Sequence, residues 1–200
     1  MALQALTEGA GDPVVYDDTA HAYYLRGERV PSVTQILTLT GRIDTRWFND
    51  AAADRGRRVH AWAQRIDERA PIVDAEIPEE IGAEVEAYRG FVRDARPDYD
   101  GVERAFWHPI LRYGGRPDRA CRRLFGTRAT LELKTGAEYD WHGLQLAGYE
   151  RLRPVGARWA VYLQSNGRYK VRQHTRADDH QEFLRALRDV WSRWALTRTA

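Results

Sequence analysis

After a short β-prone opening, apolar residues in this 200-residue chain keep helical spacing from about residue 44 to 95, then shift to strand-like runs over residues 102–133 before returning to a helix at 141–152. That double change of period points to an α/β fold. In the first stretch, Val14-Val15-Tyr16 and Ala22-Tyr23-Tyr24-Leu25 are β-prone runs joined across Asp17-Asp18-Thr19, and Arg26-Gly27-Glu28 makes a further turn. Pro31-Ser32 opens a short helix, with Ser32 as N-cap and Gly41 as its stop. Residues 44–69 carry Trp47, Ala51, Val59, Trp62 and Ile66 near helical spacing, interrupted by Gly56. Pro78 starts another helix, with Ile81, Val85, Tyr88 and Val92 on one side.

Residues 102–112, 115–124 and 128–133 read as three successive strands, separated by turns at Tyr113-Gly114-Gly115 and Phe125-Gly126. Asn166-Gly167 marks a hairpin between 158–164 and 169–174. Phe183, Leu187, Val190, Trp191 and Trp194 stripe a closing amphipathic helix. The expected architecture is one domain over 1–200, a central mixed, largely antiparallel β-sheet flanked by helices. An N-terminal β-hairpin and helical segment (14–95) precedes the main sheet and its helices (99–200).

Composition narrows the chemistry. Cys121 is the only cysteine, which excludes an internal disulfide, a cysteine-based zinc site and a four-cysteine iron–sulfur cluster. Any bound metal must be held by oxygen and imidazole, the donors of hard cations such as Mg²⁺ or Mn²⁺. No apolar run approaches the roughly 20 residues that span a bilayer, and the first residues lack the pattern of a signal peptide, so no membrane association and a cytoplasmic location are expected. Net charge is only +2, but arginines cluster at Arg55, Arg57 and Arg58, and again through Arg112, Arg116, Arg119, Arg122, Arg123 and Arg128. Such clusters bind phosphate backbones, though a chain this rich in arginine also produces them without a ligand. Lysine occurs only at Lys134 and Lys170.

Asp118 follows a Gly-Arg-Pro turn, and Glu132 and Lys134 alternate with Leu131 and Leu133. In a strand, Glu132 and Lys134 share one face and the two leucines the other. A neighbouring strand can bring Asp118 beside that pair. Two carboxylates would then supply oxygens for Mg²⁺, the Leu133 carbonyl could add another, and Lys134 would orient the attacking water and offset charge on a phosphate. Taken alone, Glu-x-Lys at a strand end is equally what a solvent-facing charge pair produces.

Five segments occur in order: Pro31-Ser32-Val33-Thr34-Gln35-Ile36-Leu37, Gly56-Arg57-Arg58-Val59-His60, Gly115-Arg116-Pro117-Asp118-Arg119, Leu131 to Gly136, and Gln145-Leu146-Ala147-Gly148-Tyr149. Together they resemble the RecB-like branch of the PD-(D/E)xK nuclease superfamily, in particular phage-encoded exonucleases, over roughly residues 14 to 150. The resemblance implies a restriction-endonuclease-like core and a Mg²⁺- or Mn²⁺-dependent deoxyribonuclease, most naturally an exonuclease in phage-type recombination, repair or DNA processing. Asp118 and Glu132 would be metal ligands, Lys134 the catalytic lysine and His60 a further ligand. Glu103 would serve in the outer shell or at a second metal, and Gln145 and Tyr149, four apart on one helical face, would position the lysine or the DNA. Arg55, Arg57, Arg58, Arg116 and Arg119 are the candidate DNA contacts. DNA is the expected partner, with a single-strand annealing protein or recombinase and self-association as further possibilities, in a host cytoplasm if phage-encoded. Two other readings remain open: a DNA-binding module without turnover, and an endonuclease specific for branched or flapped DNA.

Overall fold

The computed structural model describes residues 3–6, 14–17, 19–20, 22–44 and 49–198; His21, Trp47 and the side chain of Trp194 lie outside what is described. Four short antiparallel strands open the chain in sequence order: β1 (Leu3–Leu6), β2 (Val14–Asp17), β3 (Ala22–Leu25) and β4 (Glu28–Val30). The expected hairpin is thus the middle of a larger sheet. Strand β4 exists because Arg26 and Gly27 both take positive φ, 55° and 77°, the backbone of a two-residue type I′ turn.

Helix α1 (Val33–Leu39) starts where expected, with a capping box: the Ser32 hydroxyl accepts from the Gln35 N–H at 3.2 Å, and Gln35 Oε1 accepts from the Ser32 N–H at 3.0 Å. Helix α2 (Asp50–Asp67) begins later than the apolar spacing suggests, because Asn49 supplies its N-cap. Gly56 does not break it. A β-carbon there would sit 3.4 Å from the Thr135 hydroxyl, so the glycine lets the helix approach the sheet closely. Helix α3 (Glu79–Ala95) follows Pro78 and buries Ile81, Val85, Tyr88 and Phe91.

After these helices come β5 (Asp98–Val102), β6 (Phe106–His108), β7 (Tyr113–Gly115), β8 (Arg119–Leu124) and β9 (Thr127–Lys134). Then α4 (Trp141–Leu152), β10 (Ala157–Leu163), β11 (Tyr169–Gln173) and α5 (Asp178–Arg198) complete the chain. The five-stranded sheet has the order β11-β10-β9-β8-β5, parallel between β9 and β10 and antiparallel elsewhere. This is the mixed, largely antiparallel sheet that the sequence leads one to expect. The expected strand over 102–112 is not formed. Glu103 takes a φ of 48°, which ends β5, and β6 with β7 makes a separate two-stranded ribbon. Nor is 115–124 continuous, because Pro117 lacks the N–H a ladder needs, and β8 starts only at Arg119.

Alternation along β9 decides what each face meets. Leu131 and Leu133 pack with Val59, Ala63, Val85 and Phe91 of α2 and α3 in one core, while Leu146 of α4 packs with Ala160 and Tyr162 on the other face. Each fully buried Leu or Phe contributes about 1.5–3 kcal/mol through area removed from water. Glu132 and Lys134, out of phase with the leucines, are therefore turned toward α4. The end of β9 lies where α2 and α4 both reach it.

Candidate metal centre

Asp118 is held from several directions. Its Oδ2 accepts from the Leu133 N–H at 2.6 Å, and its own N–H donates to Glu132 Oε1 at 3.0 Å. Its carbonyl accepts from the Glu103 N–H at 2.9 Å and from Arg119 Nη1 at 2.7 Å. That leaves Oδ1 facing His60, whose Nδ1 lies 3.2 Å away, on the one turn of α2 that overhangs the sheet end. Glu103 Oε1 stands 3.9 Å from the same nitrogen. One donor atom each from His60, Glu103 and Asp118 fall within 4.8 Å of one another, a set that could hold a metal ion. With two carboxylates, an imidazole and no thiolate, the donors fit a hard divalent cation.

Glu103, expected in the outer shell or at a second metal, stands with His60 and Asp118. Glu132 lies outside that trio, its Oε1 taken by the Asp118 N–H and its Oε2 by Lys134 Nζ at 3.0 Å. Each carboxylate oxygen keeps a second lone-pair direction, so Glu132 retains capacity to ligate. The Leu133 N–H points at Asp118, and since N–H and C=O of one strand residue project to the same edge, its carbonyl turns to that side also.

Lys134 is anchored on the other flank. Its ammonium donates to Glu132 and, at 2.8 Å, to Gln145 Oε1, while Gln145 Nε2 donates to the Tyr149 hydroxyl at 3.2 Å. Thr34 of α1 hydrogen-bonds Tyr149 in turn. The motif glycine Gly115 is required here, since a β-carbon would come within 2.7 Å of the Tyr149 ring.

Charges in the cluster are unevenly tolerated. Burial works against ionised Asp118, yet the His60 imidazolium, with Lys134 and Arg119, outweighs it and holds the carboxyl below its usual range. Burial and the neighbouring Asp118 push Glu132 upward instead. Burial disfavours charged His60, but Asp118 and Glu103 overcome this and raise it to about 10. A site that burdens Glu132 with its neighbour's negative charge is one that a divalent cation would relieve.

No model of a known protein family matches this chain, and no curated protein matches it. Among solved structures, the alkaline exonuclease LHK-Exo from Laribacter hongkongensis is 14% identical with a TM-score of 0.43, covering 86% of this chain and 95% of that one. The same exonuclease in complex with dAMP gives the same figures, 14%, 0.43, 86% and 95%. The protein SSO0001 is 16% identical with a TM-score of 0.39, covering 66% of this chain and 72% of that one.

The candidate phosphate-binding arginines separate into different environments. Arg57 and Arg58 lie on the surface of α2, paired with Asp54 and Glu80. Arg116 approaches Glu103 at 3.4 Å and lies over the Tyr16 ring. Arg55 is tied to the buried carboxylate of Glu84. Arg119 is not placed to touch DNA: its side chain is 0% exposed and its Nε pairs with Asp67 Oδ2 at 2.5 Å. Asp67, Tyr88 and Tyr99, which hydrogen-bond beneath the site, carry no sequence signal that distinguishes them from core or surface residues. Thr34 did have one, the motif around Pro31.

His142, next to Trp141 and three residues before Gln145 on α4, is buried and outside the metal cluster. Its Nδ1 lies 2.9 Å from the Tyr162 hydroxyl and 3.4 Å from the Tyr139 N–H, which fixes the neutral ring. Burial, with Lys134 nearby, lowers its pKa to about 3. Above the unfolded value of about 6.5 the ring is neutral in both states and nothing is lost. As pH falls below that value the unfolded chain takes up a proton the fold refuses, so stability declines by up to about 1.4 kcal/mol per pH unit. Thermal unfolding of wild type and His142→Asn between pH 7 and 5 should show a steeper decline for wild type. Glu132 acts in the opposite sense in both proteins and cancels from the difference. Equal slopes would remove His142 from the acid response.

Proposed function

We propose that this chain is a metal-dependent deoxyribonuclease that hydrolyses DNA phosphodiester bonds, acting with Mg²⁺ or Mn²⁺. The observation that carries the reading is the position of Lys134, whose ammonium is fixed by Glu132 and Gln145 at 3.0 and 2.8 Å beside the His60–Glu103–Asp118 donor set. An ammonium has three protons, and two are committed, so one remains for a substrate oxygen or the attacking water. A charge pair on an open sheet surface has no need of a buried glutamine acceptor or of a carboxylate neighbour 3% exposed.

His60, Glu103 and Asp118 would hold the cation, with Glu132 and the Leu133 carbonyl adjoining. What a divalent cation supplies in such a site is a polarised phosphate and a lowered pKa for the water that attacks it. Water adds to phosphorus, the bond to the 3′ oxygen breaks, and 5′-phosphate and 3′-hydroxyl ends result. Lys134 orients the water and opposes the charge that accumulates on the phosphate oxygens. Gln145 and Tyr149 keep the ammonium from collapsing fully onto Glu132. Exonuclease action is the form the family resemblance favours.

The test is hydrolysis of end-labelled linear duplex DNA with Mg²⁺ or Mn²⁺, beside Lys134→Ala and a circular substrate. Wild type should shorten the linear DNA from an end and spare circles, and the variant should be slower by about 10²–10³-fold. Cleaved circles would replace exonuclease by endonuclease. If both proteins bind DNA and neither cuts it, the enzyme reading fails.

A further inference from the structure

Where β9 passes into α4, the chain carries two aromatic rings that the hydrolytic centre does not use. The Tyr139 and Trp141 rings lie 14° from parallel with centroids 6.2 Å apart, and both meet the His142 ring edge-on, at 5.6 and 4.2 Å. Trp141 is the inner member. It packs on the core that includes Phe183 and Leu187, and the Lys134 ammonium lies 5.4 Å from its centroid. Tyr139 is the outer member, 54% exposed, and belongs to none of the apolar clusters among the described residues. A ring that served only to cover the core would be turned toward it. Tyr139 is nevertheless held in place. Its carbonyl accepts from the His142 N–H at 3.1 Å, and its N–H approaches His142 Nδ1 at 3.4 Å. The preceding Glu138 is tied to Lys170 and, at 2.8 Å, to Arg172, both on β11. These two cations share one carboxylate and stay exposed, which leaves positive charge beside the ring.

We propose that Tyr139 and Trp141 form a stacking platform for an unpaired nucleobase of the strand being cut; the proposal rests on the nuclease reading and adds a substrate requirement to it. A base laid on Tyr139 continues the stack that Trp141 begins. The phosphates on either side of that base meet the positive charge of Lys134 and of the Lys170–Arg172 pair, and stacking itself is indifferent to sequence because every base has a π-face. The two ring spacings put Tyr139 within about three nucleotides of a phosphate held at Lys134. Inside a duplex each base is already covered on both faces, so the strand must be separated before it can use the ring. A ring fixed in advance loses little freedom when a base arrives.

The experiment measures binding of three probes of equal length to the Asp118→Asn protein in Mg²⁺, where turnover is too slow to consume them. The probes are single-stranded oligo-dT, an abasic chain with the same phosphates, and a blunt duplex. Adding Tyr139→Ala should weaken oligo-dT binding about tenfold, the loss expected when one base gives up its stacking partner. The abasic chain and the duplex should change by less than about twofold, since neither offers the ring an open base. Tyr139→Phe should bring oligo-dT back to within about twofold of the tyrosine protein, because stacking needs the ring and not the hydroxyl. The side chain is exposed, so both variants keep the core intact. Unchanged affinity for oligo-dT, an equal loss with the abasic chain or the duplex, or no recovery with phenylalanine overturns the platform. If wild type then still hydrolyses linear DNA, the nuclease reading stands without it. If wild type hydrolyses nothing but oligo-dT binding depends on the ring at position 139, the platform stands and the catalytic reading fails.

Discussion

Asp118→Asn is expected to lower DNA hydrolysis by about 10³-fold or more and to weaken Mn²⁺ binding by about 100-fold, while leaving the fold intact. Asparagine is isosteric, and its side-chain oxygen can still accept from the Leu133 N–H that now meets Oδ2 at 2.6 Å. The backbone bonds from Glu103, Arg119 and toward Glu132 do not involve the side chain and persist. What disappears is the negative charge facing His60, and with it the strongest attraction for a cation at the point where three donors meet. Calorimetric titration with Mn²⁺ and a turnover assay on linear DNA read the two effects separately. A variant that keeps more than about a tenth of wild-type turnover would place the metal, or the chemistry, elsewhere.

The largest effect on stability is expected at Arg119. Its guanidinium and the Asp67 carboxylate are both 0% exposed, and burial already raises the Asp67 carboxyl against the pull of Arg119. Arg119→Met would leave that carboxylate, among the described residues, with the Tyr88 hydroxyl at 2.7 Å, and should cost about 3–5 kcal/mol in urea unfolding. Arg119→Lys should recover little, since a point charge cannot reach Asp67, Glu103 and the Asp118 carbonyl together as the fork does. Removing both partners in Arg119→Met with Asp67→Leu should restore much of the loss, because no charge is then stranded. A single variant within about 1 kcal/mol of wild type would mean that solvent reaches the pair.

Much of the site was legible because its spacing is dictated by a strand. Two-residue periodicity put Glu132 and Lys134 on one face, and four-residue spacing on α4 brought Gln145 and Tyr149 together, as the hydrogen bonds confirm. Other parts could not be read. Asp98 and Gly101 are poor strand formers, so the sequence pattern marks a strand only from residue 102 and misses most of β5, an edge strand with two register shifts. Arg119 looked like a phosphate contact because the sequence shows its charge but hides Asp67, 52 residues away, which takes it out of solvent. The placing of Glu103 beside His60 is hidden for a related reason. Its left-handed backbone, at φ 48°, arises only once its N–H is drawn to the Asp118 carbonyl.

Strand β9 is the middle member of the five-stranded sheet, with neighbours on both edges and helices against both faces. Elements so enclosed open only when most of the molecule does, and their amide protons exchange last. The distance between the Glu132 carboxylate and the Lys134 ammonium is therefore set by the pleat of the slowest-exchanging segment, whereas His60 and Glu103 belong to a helix and to a loop at the rim. Thermal fluctuation falls first on the side that would hold a cation, and the lysine and its carboxylate keep their spacing while it passes.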